Sequence, residues 1–302
     1  MTLTVLVTGA STGIGNLTAR TLAAAGHRVY ASMRDVGGRN ATHAQDLVDA
    51  AAADGVALQV VELDVQSQDS ADAAVATILA DAGGLDVVIH NAGHLVVGYA
   101  EAFTAEELAR LFDSNVFGIQ RVNRAALPSM RARRSGVLLY VGSTSSVVVP
   151  PFLAPYVASK SAGDALAATT AYEVGRFGIE TTIVMPGAFT SGTEHFPHAT
   201  HAADQTVAAA YAALDPLVAR NEDATSSLFA PGVDANPQAV ADEIARILAL
   251  PAGQKPLRSV VDFAHAGVED VNTALIAAQR AYLTRMGFAE LLSPALSAAS
   301  AV

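Results

Sequence analysis

Leu3-Thr4-Val5-Leu6-Val7-Thr8-Gly9-Ala10-Ser11-Thr12-Gly13-Ile14-Gly15 is the stretch from which the fold is read. A short apolar run of strand character breaks at Gly9, and a helical pattern starts near residue 13. Glycines in that turn let the backbone approach a pyrophosphate closely. The N-terminus of the following helix adds free N–H groups and a favourable dipole. Glycines also make ordinary turns; in this strand-turn-helix setting they point to dinucleotide binding.

Outward from this turn, apolar runs and Ala-rich helical patterns alternate. Strands are expected at residues 3–8, 28–33, 56–63, 85–90, 136–143 and 179–185, with helices near 13–25, 39–53, 68–81, 104–133 and 156–177. The strand segments are continuously apolar, as a parallel sheet covered on both faces requires. Repeated β-α units imply an α/β fold built on a Rossmann-type, doubly wound parallel sheet. The regularity stops at Pro186-Gly187. A stretch rich in Ser, Thr, His, Asp and Pro follows, with one helical piece near 201–219, then a helix over 237–250 and a last strand around 257–261. An irregular excursion late in a regular sheet protein is usually functional, often a lid. The expected organisation is one catalytic domain over residues 1–265, including a substrate lid at 188–235, and a C-terminal helical extension over 266–302 whose last positions fray.

Composition narrows the function. Of 302 residues 51% are apolar, which suits a substantial core, and no uninterrupted apolar run reaches membrane-span length. The start has no basic segment before its first strand, unlike a signal peptide. The chain has no cysteine, so disulfides and thiolate metal sites are excluded, in keeping with a cytoplasmic location. A formal charge of −11 opposes nucleic acid and anionic membranes. His195, His198 and His201 do not read as metal ligands: Pro197 interrupts any common helical face and Glu194 is the only carboxylate beside them. No metal is expected.

Only two of the 18 basic residues are lysines, and one of them, Lys160, ends Tyr156-Val157-Ala158-Ser159-Lys160. On a helix, residues i and i+4 share a face. The ammonium then sits beside the phenol, favours the phenolate and lowers the tyrosine pKa, making Tyr156 a general acid/base near neutral pH. Ser143 ends one strand and Tyr156 begins the next helix, so both fall at the carboxyl edge of the sheet, where ligands bind in such folds. Carbonyl reduction needs this pairing: an oxygen stabiliser and an acid within reach of one atom, with a hydride donor at the carbon. At the tip of the second strand stands Met33 where an acidic residue would select NAD, and Arg34 follows. A guanidinium suits a 2′-phosphate, which favours NADP(H) over NAD(H). If the strand ends two residues later, Asp35 becomes the ribose acceptor instead.

Thr8-Gly9-x-x-x-Gly13-x-Gly15, Asp64-Val65, Asn91-Ala92-Gly93, Asn115, Ser143, Tyr156-x-x-x-Lys160 and Pro186-Gly187 occur in this order and spacing. Together they resemble the short-chain dehydrogenase/reductase family over about residues 3–262. The stretch Val29-Tyr30-Ala31-Ser32-Met33-Arg34-Asp35 is similar to the NADP-preferring hydroxysteroid and retinol dehydrogenase branch. The resemblance implies cofactor contacts from Gly9, Ser11, Thr12, Gly13, Ile14, Gly15 and Arg34. It implies that Asp64 and Val65 hold the adenine, and that Asn91, Ala92 and Gly93 form the floor under the ribose. Tyr156 would move the substrate proton, Ser143 would hold the carbonyl oxygen, and Lys160 would bind the nicotinamide ribose. Asn115 would extend a proton relay, and Pro186, Gly187 and Thr190 would approach the carboxamide. Two positions depart from the family pattern: His90 replaces a frequent asparagine, and Gly142 a frequent serine.

The expected activity is therefore an NADP(H)-dependent oxidoreductase interconverting a ketone and a secondary alcohol. The segments 95–97, 147–153 and 188–200 are mostly apolar, which suits a small hydrophobic substrate. From Gly187 to Gln254 only Arg220 and Arg246 oppose eight acidic residues, so a polyanionic carrier thioester is disfavoured. The alternatives are a 3-oxoacyl thioester reductase or a dinucleotide-binding regulator without turnover. The 104–133 and 156–177 helices carry more apolar surface than one sheet face covers, and the family pairs them across a two-fold axis; a homodimer or homotetramer is expected.

Overall fold

Seven strands form one parallel sheet in the order β3-β2-β1-β4-β6-β7-β9. The computed structural model describes residues 2–193 and 198–296; His195, and the final positions expected to fray, lie outside them. In chain order the strands are β1 (Thr4–Val7), β2 (Arg28–Met33), β3 (Leu58–Glu62), β4 (Val87–His90), β5 (Val96–Val97), β6 (Gly136–Val141), β7 (Ile179–Pro186), β8 (Thr200–His201) and β9 (Arg258–Val261). The helices are α1 (Gly13–Ala24), α2 (Ala41–Asp54), α3 (Gln68–Ala82), α4 (Ala105–Phe112), α5 (Gly118–Arg133), α6 (Ala154–Gly175), α7 (Gln205–Ala210), α8 (Asp215–Ala219), α9 (Asn221–Ser226), α10 (Gln238–Leu248) and α11 (Val268–Arg285).

Side chains alternate across β1, and this divides the core in two. Val5 and Val7 pack with Leu22, Leu47 and Ile244 from α1, α2 and α10 on one face. Leu6 packs with Val75, Val122 and Ala167 from α3, α5 and α6 on the other. The chain reverses its winding between β1 and β4, and the carboxyl ends of the strands open into a crevice there. None of the described helices is long and apolar enough to cross a membrane.

Three local features differ from the sequence-based expectation. The 104–133 helix is interrupted by one wide π turn, Asp113–Phe117. It turns Asn115 inward to bond His94 and Ser159, and such single wide turns recur at functional sites. The 201–219 helix is several short pieces. Pro216 at the start of α8 has no N–H to continue a preceding helix, so the chain must restart there. The two-residue strands β5 and β8 pair in parallel and fasten the segment around Thr200 to the loop after β4. Neither is long enough to show a sequence period.

The C-terminal extension is pinned at its far end, where the Ala295 amide donates to Gly175 O at 2.7 Å. Between its ends, only Val268, Asn272 and Leu283 of α11 are buried.

β4 ends on an enclosed polar group. His90 Nε2 lies 2.9 Å from Asn123 Oδ1, Asn123 Nδ2 donates to the Tyr140 hydroxyl at 3.1 Å, and the His90 ring stacks on Tyr140. Burial pushes the His90 pKa down to about 4, against a partly compensating bond to Asn123. The imidazole is thus neutral in the native state until far below the pH at which an unfolded histidine charges. Above pH 6.5 neither state binds the proton, and no stability is at stake. Between 6.5 and about 4 the unfolded chain takes it up first and stability falls, by about 3 kcal/mol over the window. His90→Asn is expected to remove this component. Denaturant unfolding of both proteins from pH 7 to 4.5 checks it, and parallel curves would refute the role of His90.

Candidate active site

The turn after β1 and the turn after β4 interlock at the base of the crevice. Thr8 Oγ1 accepts from the Asn91 and Ala92 amides at 2.9 and 3.0 Å, and Asn91 Nδ2 donates to Thr8 O and Gly9 O at 3.0 Å each. Gly9 has φ +65°, a backbone setting that favours glycine. A Cβ on Gly15 would stand 2.4 Å from both Asn91 Nδ2 and Gly9 O, so no side chain fits. The Gly9–Gly15 turn thereby brings bare backbone and the N-terminus of α1 to the floor of the cavity.

That cavity has a volume of about 900 Å³ and runs from the tip of β2 to Thr200 and Leu228. Its walls take in Gly9, residues 11–15, Arg34, Asp64, Val65, residues 91–93, Ser143, Tyr156, Lys160, Pro186 and Gly187. Two expected site residues, Asn115 and Thr190, are not on its walls. Phe189 lines the cavity and packs edge-on against Phe263, whereas its neighbour Thr190 is half-buried outside the lining. Asn115 is buried behind the wall with its amide fully engaged: Nδ2 donates to His94 O and Ser159 Oγ, and Oδ1 accepts from the His94 amide and Ser114 Oγ.

Ser143, Tyr156 and Lys160 meet on one wall. Ser145 directs both its amide (3.1 Å) and its hydroxyl (2.8 Å) at Ser143 Oγ. These two donors occupy the acceptor sites of Ser143 Oγ, and its own hydrogen is left to point toward Tyr156. The Tyr156 pKa is pushed up to about 12 by burial, and the bond from Ser143 opposes that rise. Burial pulls Lys160 down to about 8. Lys160 Nζ lies 5.8 Å from the centre of the Tyr156 ring and donates to Val141 O at 3.0 Å. The i, i+4 spacing thus puts the two side chains together as expected, but the expected lowering of the tyrosine pKa does not follow. The ammonium lies over the ring and bonds a backbone carbonyl, so desolvation of the phenol dominates.

At the nucleotide end, β2 stops at Met33. Arg34 reaches the cavity and donates to Gln66 Oε1 at 3.2 Å; Gln66 is held in turn by Asp113, which Arg121 pairs at 2.6 Å. Asp35 points elsewhere: its Oδ2 accepts from the Arg39 amide at 3.0 Å and closes the turn that follows β2. Arg39 and Asn40 also line the cavity, and both were missed in the sequence. The signal available was a second arginine five residues after Arg34, within the same turn.

At the other end, Leu95, Val96, Phe103, Leu111 and Leu153 form an apolar wall, and His94, Glu107, Arg110 and Ser114 are polar residues that also line the cavity. Of the expected lining segments, 95–97, 147–153 and 188–200 each contribute; Phe103, Leu111, Thr225 and Leu228 were not anticipated. The segment with Tyr211 and Asp215 is clasped onto the chain after β5. Tyr99 and Tyr211 stack at 4.9 Å, Tyr99 donates to Asp215 Oδ1 at 2.7 Å, and Tyr211 to Glu101 Oε2 at 2.6 Å. His198 lines the cavity and His201 Nδ1 lies 3.1 Å from Val97 O.

Comparison with known proteins places the chain in a family. The sequence profile of the family described as short chain dehydrogenase matches residues 3–202. The chain is 34% identical over 188 residues to 3-ketodihydrosphingosine reductase of Bacteroides thetaiotaomicron, covering 62% of this chain and 64% of that protein. It is 35% identical over 190 residues to estradiol 17-beta-dehydrogenase 1 of Rattus norvegicus, covering 61% and 53%. The match thus spans between about half and two thirds of these relatives. The crystal structure of a short-chain dehydrogenase from Streptomyces avermitilis superposes with a TM-score of 0.72 at 31% identity, over 94% of this chain and 95% of that one.

Proposed function

The chain belongs to the short-chain dehydrogenase family, and on that premise we propose that it is an NADP(H)-dependent oxidoreductase interconverting a hydrophobic ketone and a secondary alcohol. The observation that carries this reading is the meeting of Ser143, Tyr156 and Lys160 on one wall, between a bare-backbone turn and an apolar pocket. The residues present suit a phosphorylated dinucleotide. The Gly9–Gly15 turn leaves room for backbone alone, and two guanidiniums stand at the far end. Bound there, the cofactor supplies or accepts the hydride.

The protein's part is orientation and proton movement. Tyr156 would give its proton to the carbonyl oxygen during reduction, and its raised pKa keeps it protonated at neutral pH. Ser143, oriented by Ser145, would donate a second hydrogen bond to that oxygen as negative charge develops. Lys160 would hold the nicotinamide ribose. Asn115 would act as a positioning residue, tying the loop at His94 to α6 through Ser159. Leu95, Phe103, Leu111 and Leu153 would exclude water and favour an apolar body on the substrate.

The preference for NADP(H) rests on Arg34 and Arg39, together with the diversion of Asp35 into its own turn. A charge-assisted bond to a 2′-phosphate is worth about 1.5–3 kcal/mol, or roughly ten- to a hundredfold in affinity. Arg34→Ala is expected to raise the KM for NADPH by that factor and to leave the KM for NADH nearly unchanged. Arg39→Ala should act in the same direction. Steady-state kinetics with both cofactors decide it: equal effects would refute the assignment and return the choice to Asp35.

A further inference from the structure

We propose that His94 is a specificity-determining residue whose Nε2 accepts a hydrogen bond from a hydroxyl on the substrate. Resting on the ketone-reductase reading above, this narrows the substrate class to hydrophobic ketones that carry a hydroxyl away from the reacting carbonyl. His94 follows Asn91-Ala92-Gly93 and leads into the apolar wall of Leu95 and Val96, whose cluster also holds Leu111 and Tyr156. It lines the cavity and is half-buried there. The Asn115 amide grips its backbone from both sides: the His94 N–H donates to Oδ1 and the His94 carbonyl accepts from Nδ2, at 3.0 Å each. A side chain on so fixed a backbone is preorganised for a ligand.

The hydrogen-bond pattern decides which ring nitrogen carries the hydrogen. Ser114 Oγ lies 3.3 Å from His94 Nδ1, and 3.1 Å from both Leu111 O and Asn115 Oδ1. Those two oxygens can only accept, so the single Ser114 hydrogen is spent on one of them. Toward Nδ1 the hydroxyl offers a lone pair, and Nδ1 must donate. Burial holds the imidazole pKa below its ordinary value, so the ring is neutral at neutral pH and carries one hydrogen. Nε2 is therefore an acceptor, and no described residue donates to it. The neighbouring polar groups are otherwise committed. Glu107 accepts from the Thr104 and Ala203 amides, and Arg110 can only donate. A hydroxyl, which donates, satisfies Nε2; a fluorine, which only accepts, leaves it unpaired.

Matched aryl-alkyl ketones test this, one series with a hydroxyl at successive ring positions and the other with a methyl or fluorine at the same positions. The readout is the ratio of kcat/KM within each pair, measured on the full chain with NADPH. For the wild type, one hydroxyl position is expected to be favoured by roughly ten- to a hundredfold, the usual cost of leaving a desolvated acceptor unpaired. His94→Leu should bring that ratio close to one. His94→Gln, which offers an amide oxygen, should restore part of it. General damage to the site lowers both members of a pair and leaves their ratio, so it does not imitate the effect. The histidine tautomer gives a second readout that needs no turnover. In ¹⁵N-labelled wild type near neutral pH, the His94 signals, assigned by their loss in His94→Gln, should show hydrogen on Nδ1 and none on Nε2. The proposal is overturned if no hydroxyl position is preferred, if the preference survives His94→Leu, or if Nε2 carries the hydrogen. Ketone reduction without any hydroxyl preference removes only the role of His94 and leaves the reductase reading standing. If no ketone of either series is reduced, both fall.

Discussion

Tyr156→Phe is expected to lower kcat by about 10²–10⁴-fold, the value of a positioned general acid, while NADPH affinity and the circular dichroism spectrum stay at wild-type levels. The side chain is 7% exposed and packs with Leu95, Leu153 and Val157, so the ring fills a core position that phenylalanine can also fill. What the substitution removes is one hydroxyl at the edge of the cavity. The sign of the pH dependence follows from its pKa of about 12 in the free protein. At neutral pH the phenol holds its proton and is ready for ketone reduction. Alcohol oxidation needs the phenolate, so its rate should climb with pH through the alkaline range, and the variant should lose that climb. Retention of more than half the wild-type kcat would remove Tyr156 from the proposed mechanism.

Ser143→Ala should cost about 10²–10³-fold in kcat, the usual result of deleting one preorganised donor to a developing oxyanion. Its KM for NADPH should change little, because the hydroxyl faces Tyr156 rather than the phosphate turn. Ser145→Ala is a subtler variant of the same experiment. It removes the hydroxyl that holds Ser143 Oγ at 2.8 Å but leaves the amide at 3.1 Å. A smaller fall, on the order of tenfold, is expected, with the loss in kcat and not in KM. Steady-state kinetics on both variants with one ketone would check this. Equal losses at the two positions would mean that Ser145 touches the substrate itself; no loss at Ser143 would overturn the oxygen-binding role.

The alternation of apolar runs with helical patterns marks six of the seven principal strands, and the seventh, β9, follows the predicted 237–250 helix. This succeeds because strand burial on two faces writes itself into local sequence as continuous hydrophobicity. Part of the candidate site was legible for a related reason. Gly9, Gly13 and Gly15, Ser143, and Tyr156 with Lys160 each sit at a strand end or on one helix face, where short-range spacing settles which way they point.

Other properties depended on how loops and turns fold back, locally and across the chain. Arg39 reaches the same cavity as Arg34 because Asp35 closes the intervening turn on the Arg39 amide. Ser145 matters because the chain curls back after Ser143, and the Tyr99–Tyr211 clasp joins residues more than a hundred positions apart. The largest reversal concerns Lys160. The sequence places it one turn from Tyr156, from which proximity argues for a depressed tyrosine pKa. The sign is decided by how much water the folded wall removes and by where Nζ finds its acceptor, Val141 O. The sequence alone determined that Gly9, Gly13 and Gly15, Ser143, and Tyr156 with Lys160 stand at strand ends or on one helix face, since spacing along a helix or strand is local. Their protonation and their orientation were decided only by tertiary structure, because desolvation belongs to the packed whole.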